Sequence, residues 1–186
     1  MSNLFRKLSE RTVFSGSLIS VAQATFEGPD GSTFERDVVR HPGAVDVVPV
    51  LDDGHTVVMV RQYRAAVERD VLEIPAGKRD VDGEPPEVTA ARELEEEIGM
   101  RAGRIELLAR FLNSPGFCDE ESYVYLARDL TPATASAQGE EEQHMTVEHL
   151  SLHDVPRLIR AGELVDAKTV IGLCLAREAL GVAPPR

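Results

Sequence analysis

The feature that most constrains this chain is an acidic run, Arg92-Glu93-Leu94-Glu95-Glu96-Glu97-Ile98-Gly99. Side chains three and four residues apart are neighbours on a helix, so Glu93 stands beside Glu96 and Glu97, and each like-charge pair costs about 0.2–0.5 kcal/mol. A hard divalent cation such as Mg2+ would turn this cost into a gain, because it binds carboxylate oxygens together with substrate phosphates. Gly99 predicts the left-handed residue that ends such a helix. The run therefore predicts a metal-binding helix, although an acidic run without further context is more often a solvated helix face.

Length and charge restrict the class of protein. The 186 residues, 42% of them hydrophobic, predict a single globular domain with its own core. No window approaches the roughly 18 apolar residues of a membrane span, and the N-terminal residues lack the apolar core of a signal peptide, so we expect a cytoplasmic protein. The net charge of −12 argues against nucleic acid and anionic membranes as partners. A phosphate compound would need a cation to bridge it to this protein.

The cysteines and histidines do not indicate a zinc site. Cys118 and Cys174 lack metal-ligand spacing and are expected to be reduced thiols, with Cys174 in the core of the last helix. The five histidines receive no catalytic role. The sequence also contains no P-loop, no nucleophile elbow and no glycine-rich dinucleotide fingerprint.

Turn residues divide the first part of the chain into strands. The cluster from Gly28 to Ser32 predicts a hairpin between the β segments Val13–Phe26 and Thr33–Arg40. Asp52-Asp53-Gly54 predicts a second hairpin, between Ala44–Leu51 and Thr56–Tyr63, whose valine-rich strands are covered on two faces. We expect residues 1–42 to form a β arm that helps to make a homodimer, and residues 43–186 to form the main domain.

The acidic run lies on a helix that is predicted over Pro86–Ile98, with Ala91, Leu94 and Ile98 on its buried side. Two further strands are predicted at Arg104–Leu112 and Glu121–Ala127, and a polar loop is predicted at Thr131–His144. A last strand is predicted at Met145–Leu150. Two C-terminal helices are predicted, one between Asp154 and Gly162 and one over Ala167–Leu180.

A wider pattern surrounds the acidic run. Gly77, Glu84, the run itself and Met100 resemble the Nudix box, in which a glycine, a glutamate and an Arg-Glu-aliphatic-x-Glu-Glu-x-Gly-aliphatic string stand at fixed spacing. Gly77 and Glu84 are separated by one residue more than in the family pattern, and an extra residue in the loop before the helix need not move the helix. The resemblance implies an α/β fold, a Nudix-type α/β/α sandwich with a mixed sheet and an N-terminal antiparallel β arm.

The same resemblance implies a set of metal ligands. Glu93 and Glu97 are expected to bind Mg2+, or Mn2+, together with the backbone carbonyl of Ala76, and Glu96 is expected to bind it directly or through another ligand. The catalytic group also includes Arg92, whose planar guanidinium is expected to orient the carboxylate of Glu84 or Glu96. The alternative for Arg92 is a surface ion pair of little energetic value.

A general base is expected on the long late loop. Relatives that cleave ADP-ribose usually carry this base outside the box, as a glutamate on the late loop. By this resemblance, Glu142 is predicted to be the general base, and its neighbours Glu140 and Glu141 could take its place. The alternative is that these three glutamates only keep the loop soluble.

Three segments and one proline make the chain resemble the ADP-ribose pyrophosphatase branch of the family. The segments begin at His41, Arg61 and Leu72, and the proline, Pro115, lies sixteen residues after Gly99. This resemblance implies that Arg64 clamps the diphosphate of the substrate. It also implies that Phe34 and Glu35 recognise adenine, although Phe34 could equally be a buried strand residue. The other substrate-binding residues that it implies are Glu73, Pro115 and Gly116.

The expected reaction is the Mg2+-dependent hydrolysis of ADP-ribose to AMP and ribose 5-phosphate. One alternative keeps the chemistry and changes the substrate to another nucleoside diphosphate sugar, a dinucleoside polyphosphate or an oxidised nucleotide. A second alternative is a regulator that binds ADP-ribose without cleaving it.

Overall fold

The structure, a computed structural model, describes residues 4–134 and 144–183. Within them we number ten strands and three helices: β1 (Arg6–Ser15), β2 (Ser20–Glu27), β3 (Thr33–Arg40), β4 (Ala44–Pro49), β5 (Thr56–Arg64), β6 (Arg69–Glu73), β7 (Ala76–Lys78), α1 (Pro86–Ile98), β8 (Met100–Leu112), β9 (Glu121–Pro132), β10 (Thr146–Ser151), α2 (Val155–Ala161) and α3 (Ala167–Ala179). They belong to two compact units, a first unit of Met1–Gly43 with Leu112–Glu121 and a second unit of Ala44–Phe111 with Ser122–Arg186.

The first unit contains an antiparallel sheet in the order β1-β2-β3. The predicted turn at Gly28 joins β2 to β3, since Gly28 N–H donates to the Ser32 carbonyl at 2.8 Å. The single β segment predicted from Val13 to Phe26 is wrong: it contains a second turn, in which Gly16 N–H donates to the Ile19 carbonyl at 2.9 Å. The alternation of side chains across this stretch was only partial, so it could not show where one strand ended and the next began.

Strand β1 is exposed along its whole length. Its exposed side chains include the large hydrophobic residues Leu8, Val13 and Phe14, and Leu4 and Phe5 immediately before it are exposed as well. The same strand carries Glu10, which receives two hydrogen bonds from Arg40 at the end of β3.

The second unit contains two sheets, one in the order β10-β5-β6 and one in the order β7-β4-β9-β8. The second of these is mixed, because β4 is parallel to β9 and antiparallel to β7. The predicted hairpin between β4 and β5 is therefore wrong, although both strands exist. They meet only at a bridge between Val50 and Val57 and then enter different sheets. Strands buried on both faces carry no alternation that identifies their neighbours, so closeness in sequence misled the prediction.

Strand β4 lies between two layers of helix. Val45 and Val47 belong to a core cluster with Leu94 of α1, whereas Val48 belongs to a cluster with Leu173 of α3. Successive side chains of a strand point to opposite faces of the sheet, which explains this division. The result is the α/β/α arrangement with a mixed sheet that the sequence implied.

Two predictions about buried side chains are corrected. In α1 the buried positions include Thr89, Ala90, Leu94 and Ile98, and Ala91 is only partly buried. Cys174 in α3 is exposed rather than in the core, and neither it nor Cys118 forms a disulfide. In both helices the observed buried face is rotated slightly from the buried face that the apolar residues alone predicted. No helix in the described part of the chain is long and apolar enough to cross a membrane.

Candidate active site

Helix α1 and strand β7 form the centre of the site. The helix covers the predicted residues Pro86–Ile98 and ends at Gly99, whose φ of 63° and ψ of 36° lie in the left-handed region. Gly77 of β7 faces the helix so closely that a Cβ atom there would lie 1.9 Å from Cδ of Glu93. A side chain at this position would displace the Glu93 carboxylate.

The carboxylates of α1 have different surroundings. Glu97 is 8% exposed and accepts a hydrogen bond from Ala76 N–H at 3.0 Å. Glu93 and Glu96 are partly buried, with 13% and 19% of their side chains exposed. Glu95 belongs to a different face, where Arg101 donates two hydrogen bonds to it at 2.7 and 2.9 Å. Three carboxylates therefore remain on the flank of the helix that carries the box pattern.

Arg92 contacts three carboxylates around this flank. Its Nη1 lies 2.9 Å from Glu93 and 3.1 Å from Glu96, and its Nη2 lies 3.4 Å from Glu84. Burial lowers the pKa of Arg92, but the negative charges of Glu93 and Glu96 outweigh it, so that the pKa is raised above its ordinary value. Thr89 donates a hydrogen bond to Glu84 at 2.7 Å. Both partners predicted for Arg92 are thus present, and Glu93 is an additional one.

The donors on this flank suit a hard divalent cation in chemistry and charge. Carboxylate oxygens of Glu93, Glu96 and Glu97 and the carbonyl of Ala76 are the oxygen ligands that Mg2+ prefers. Within residues 4–134 and 144–183, no three His, Cys, Asp or Glu side chains converge closely enough to hold a metal ion. Arg92 lies between Glu93 and Glu96 in this arrangement, so a cation would compete with its guanidinium for these oxygens.

A cleft of about 420 Å³ opens beside the same helix. Its wall is formed by Val88, Ala91, Arg92, Glu95 and Glu96 of α1 and by Thr134, just after β9. Glu93 and Glu97 are not among these lining residues. The predicted base, Glu142, and its neighbours Glu140 and Glu141 lie outside the described residues.

A second charged cluster connects β5, β6 and the start of α3. Arg64 donates to both carboxylate oxygens of Glu73, from Nε at 2.7 Å and from Nη2 at 2.6 Å. Lys168 contacts the same Glu73 and also Asp166, the latter at 2.8 Å. Glu73 is only 2% exposed, and 41% of the Arg64 side chain is exposed. The hydrogen bonds that Arg64 donates to Glu73 raise the pKa of Arg64, and the charge of Glu97 contributes in the same direction.

Sequence reasoning missed Lys168 and Asp166. Asp166 caps α3, since its side chain accepts a hydrogen bond from Thr169 N–H at 3.0 Å. Thr169 in turn accepts a hydrogen bond from Ile74 N–H, again at 3.0 Å. An Asp three residues before a Thr at the start of an apolar helix is a capping pattern that was available in the sequence. Its connection to Glu73 depends on the tertiary fold.

Four of the predicted substrate residues belong to the first unit. The Phe34 ring stacks on Phe26 at 5.7 Å between centroids, and the Arg36 guanidinium lies 4.7 Å from its centre. Glu35 is exposed beside it. Pro115 and Gly116 are exposed in the turn between β8 and β9, where the Ser114 carbonyl accepts hydrogen bonds from Phe117 and Cys118 N–H at 3.1 and 2.9 Å.

Comparison with known proteins agrees with this architecture. Residues 40–170 match the family described as NUDIX domain. Helix α1, the glycine that approaches it and the mixed sheet between helical layers define the same class, and the chain belongs to the Nudix hydrolase family.

Individual relatives cover most of the chain. It is 39% identical over 168 residues to an ADP-ribose pyrophosphatase of Bacillus subtilis, with 90% of each chain covered. It is 37% identical over 183 residues to an ADP-ribose pyrophosphatase of Mycobacterium tuberculosis, which covers 98% of this chain and 88% of the relative. A methanol dehydrogenase activator of Bacillus methanolicus is 39% identical over 175 residues, with 93% and 94% covered.

A solved structure shows the same fold. The crystal structure of an ADP compounds hydrolase superimposes with a TM-score of 0.83 at 24% identity and covers 96% of this chain and 95% of its own. It shows the fold, whereas the family match and the pyrophosphatase relatives show that the chain is a Nudix hydrolase.

Proposed function

We propose that this protein hydrolyses the diphosphate bond of ADP-ribose and releases AMP and ribose 5-phosphate, with Mg2+ as its cofactor and Mn2+ as a possible substitute. The observation that carries the proposal is the buried Glu97, hydrogen-bonded to Ala76 N–H beside Glu93 and Glu96 on a helix of Nudix type. The two relatives named as ADP-ribose pyrophosphatases support the choice of substrate.

In this proposal Glu93, Glu97 and the Ala76 carbonyl hold the metal, with Glu96 beside them. The bound metal would neutralise charge on the phosphoryl oxygens and lower the pKa of a water molecule. Arg92 keeps the carboxylates of Glu93 and Glu96 in place through its short contacts. The ends of α1 and β7 stay together because Glu97 accepts from Ala76 N–H. Glu142 accepts the proton of the attacking water.

Substrate binding is assigned to residues outside the box. The guanidinium of Arg64 binds a phosphate oxygen, and Glu73 holds that guanidinium by two hydrogen bonds. Phe34 and Glu35 contact adenine, and Pro115 and Gly116 shape the loop around the substrate. Phe34 has one ring face against Phe26, so adenine would have to use the rest of the ring.

The proposal includes a homodimer formed through the N-terminal arm. The exposed hydrophobic residues Leu8, Val13 and Phe14 on β1 support it, because such a strand is stabilised when a second chain covers it. The cytoplasmic location and the lack of nucleic acid and membrane partners remain predictions from the sequence.

Another substrate is the first alternative, and a binding regulator is the second. The relative named as a methanol dehydrogenase activator is as similar as the pyrophosphatases, which keeps a regulatory role open. A regulator would bind ADP-ribose and leave it intact.

A substrate panel separates these functions. Purified protein is incubated with Mg2+ and with ADP-ribose, another nucleoside diphosphate sugar, a dinucleoside polyphosphate or an oxidised nucleotide, and products are separated by chromatography. We expect AMP and ribose 5-phosphate from ADP-ribose, no product with EDTA, and a loss of at least about 100-fold in kcat/KM for Glu97→Gln. Cleavage of a different compound without release of AMP from ADP-ribose would refute the substrate. Binding without turnover would establish the regulator, and unchanged activity of Glu97→Gln would exclude Glu97 as a ligand.

A further inference from the structure

We infer that Lys168 is a positioning residue for substrate binding, which acts by sharing Glu73 with Arg64 and so holding the guanidinium ready for a phosphate. This inference rests on the proposed role of Arg64. Lys168 itself need not touch the substrate, since 14% of its side chain is exposed and its ammonium group is occupied by Glu73 and Asp166.

The charges of the cluster alternate along a chain of contacts. Asp166 contacts Lys168, Lys168 contacts Glu73, and Glu73 contacts Arg64. A buried carboxylate such as Glu73, at 2% exposure, is costly unless cations and hydrogen bonds compensate it. Two cations share that compensation here, and both reach the same oxygen, Oε2.

This sharing determines which edge of Arg64 faces outward. Glu73 uses Nε and Nη2 of the guanidinium, and among the described residues Nη1 has no hydrogen-bond partner. The side chain is 41% exposed, so this edge can meet a ligand. Glu97 raises the pKa of Arg64 through its charge, which relates the guanidinium electrostatically to the box carboxylates.

Loss of Lys168 would affect the cluster in two ways. Among the residues that the structure describes, Glu73 would keep Arg64 as its only cationic partner, and Arg64 would be drawn more strongly onto the carboxylate. The cluster would also change from balanced charge to one net negative charge, which opposes an anionic diphosphate. Neither change touches the groups proposed to hold the metal or the attacking water, so substrate binding should weaken while the chemical step continues.

The test is a double-mutant cycle on Lys168→Met and Arg64→Met, with kcat, KM and the dissociation constant of ADP-ribose measured, the last by calorimetry in EDTA. We expect Lys168→Met to raise KM and the dissociation constant at least about 10-fold with kcat within about threefold. Lys168→Arg should recover most of the binding. The loss of binding in the double variant should be smaller than the sum of the two single losses, because coupled residues do not contribute additively.

Arg157→Met is the matched control. It also removes one positive charge from the second unit, where Arg157 forms an exposed ion pair with Asp154 at 3.7 Å, and it should leave KM unchanged. If Lys168→Met does not fold, Lys168→Gln replaces it in the cycle.

Additive losses in the cycle, unchanged binding in the Lys168 variants, or a fall in kcat at constant KM would overturn the inference while leaving the proposed function intact. If the wild-type protein neither binds nor cleaves ADP-ribose, the proposed substrate fails, and the same cycle is run with the diphosphate compound that the panel identifies. If no diphosphate compound binds, both proposals are overturned.

Discussion

At the scale of single residues, Gly77 shows how little space separates the box loop from the box helix. A Cβ atom at this position would meet Cδ of Glu93 at 1.9 Å and Cγ at 2.1 Å. These atoms belong to the outer part of a flexible side chain, which can move away without displacing the backbone. A substitution here should therefore move a proposed metal ligand and leave the fold in place.

We predict that Gly77→Ala raises the Mg2+ concentration for half-maximal activity at least about 10-fold. The reason is the displaced Glu93 carboxylate, and the measurement is a Mg2+ titration of ADP-ribose cleavage. Thermal unfolding in EDTA serves as the control and should give a Tm close to that of the wild type. An unchanged Mg2+ dependence would show that Glu93 does not bind the metal.

Several residues of the site could be predicted from the sequence because they are set by local spacing. The left-handed Gly99, the bounds of α1 and the contact of Arg92 with Glu96 all follow from positions along one helix. The contact of Lys168 with Glu73 could not be predicted, since it joins segments that are far apart in the chain. Spacing within an element carries no information about such a pairing.

At the scale of elements, one hydrogen bond attaches α3 to the segment that follows β6. Thr169 is fully buried, and its hydroxyl oxygen accepts a hydrogen bond from Ile74 N–H at 3.0 Å. A few residues further along the helix, Gly172 packs against Ile74 as well, with room for little more than a hydrogen atom. The helix and this segment therefore fit together through both polar and apolar contacts.

We predict that Thr169→Val lowers the free energy of unfolding by about 1–3 kcal/mol, because the buried Ile74 N–H would lose its partner. Urea denaturation followed by circular dichroism measures this. Thr146→Val, on the exposed surface of β10, is the matched control and should change stability by less than about 0.5 kcal/mol. Equal stability of the wild type and Thr169→Val would mean that the hydrogen bond contributes nothing.

The bounds of the strands were predicted better than their pairing partners in the sheets. Strands β4 and β5 were placed within two residues of their observed ends, yet their pairing as a hairpin was wrong. Pairing depends on which strand occupies the next position in a sheet, and β4 is paired with β9, far along the chain. Valine-rich strands that are buried on both faces contain no pattern that could distinguish these partners.

At the scale of the whole molecule, the exposed β1 strand is the basis for the proposed dimer. We predict that the protein runs at twice the 20.3 kDa mass of one chain in size-exclusion chromatography with light scattering, and that Phe14→Asp shifts it to the monomer. Phe14 is 57% exposed, and a charge in a hydrophobic interface would oppose association.

Val67→Asp is the control for this experiment. Val67 is 55% exposed but lies in the second unit, on the turn after β5, so the same charge there should leave the mass unchanged. A wild-type protein that is monomeric at micromolar concentration would refute the proposed dimer. Dissociation by both variants would show that β1 has no special part in it.

Strands β4 and β5 follow each other in the chain but belong to different sheets, and this affects how the second unit unfolds. Strand β4 packs against both α1 and α3, and the short turn after it leads directly into β5 of the other sheet. Separating either sheet would expose a face of β4 or pull on its turn, so neither sheet can open at low cost while the other stays native. The slowest amide hydrogens of both sheets should therefore exchange with solvent through one common opening, as members of a single cooperative unit.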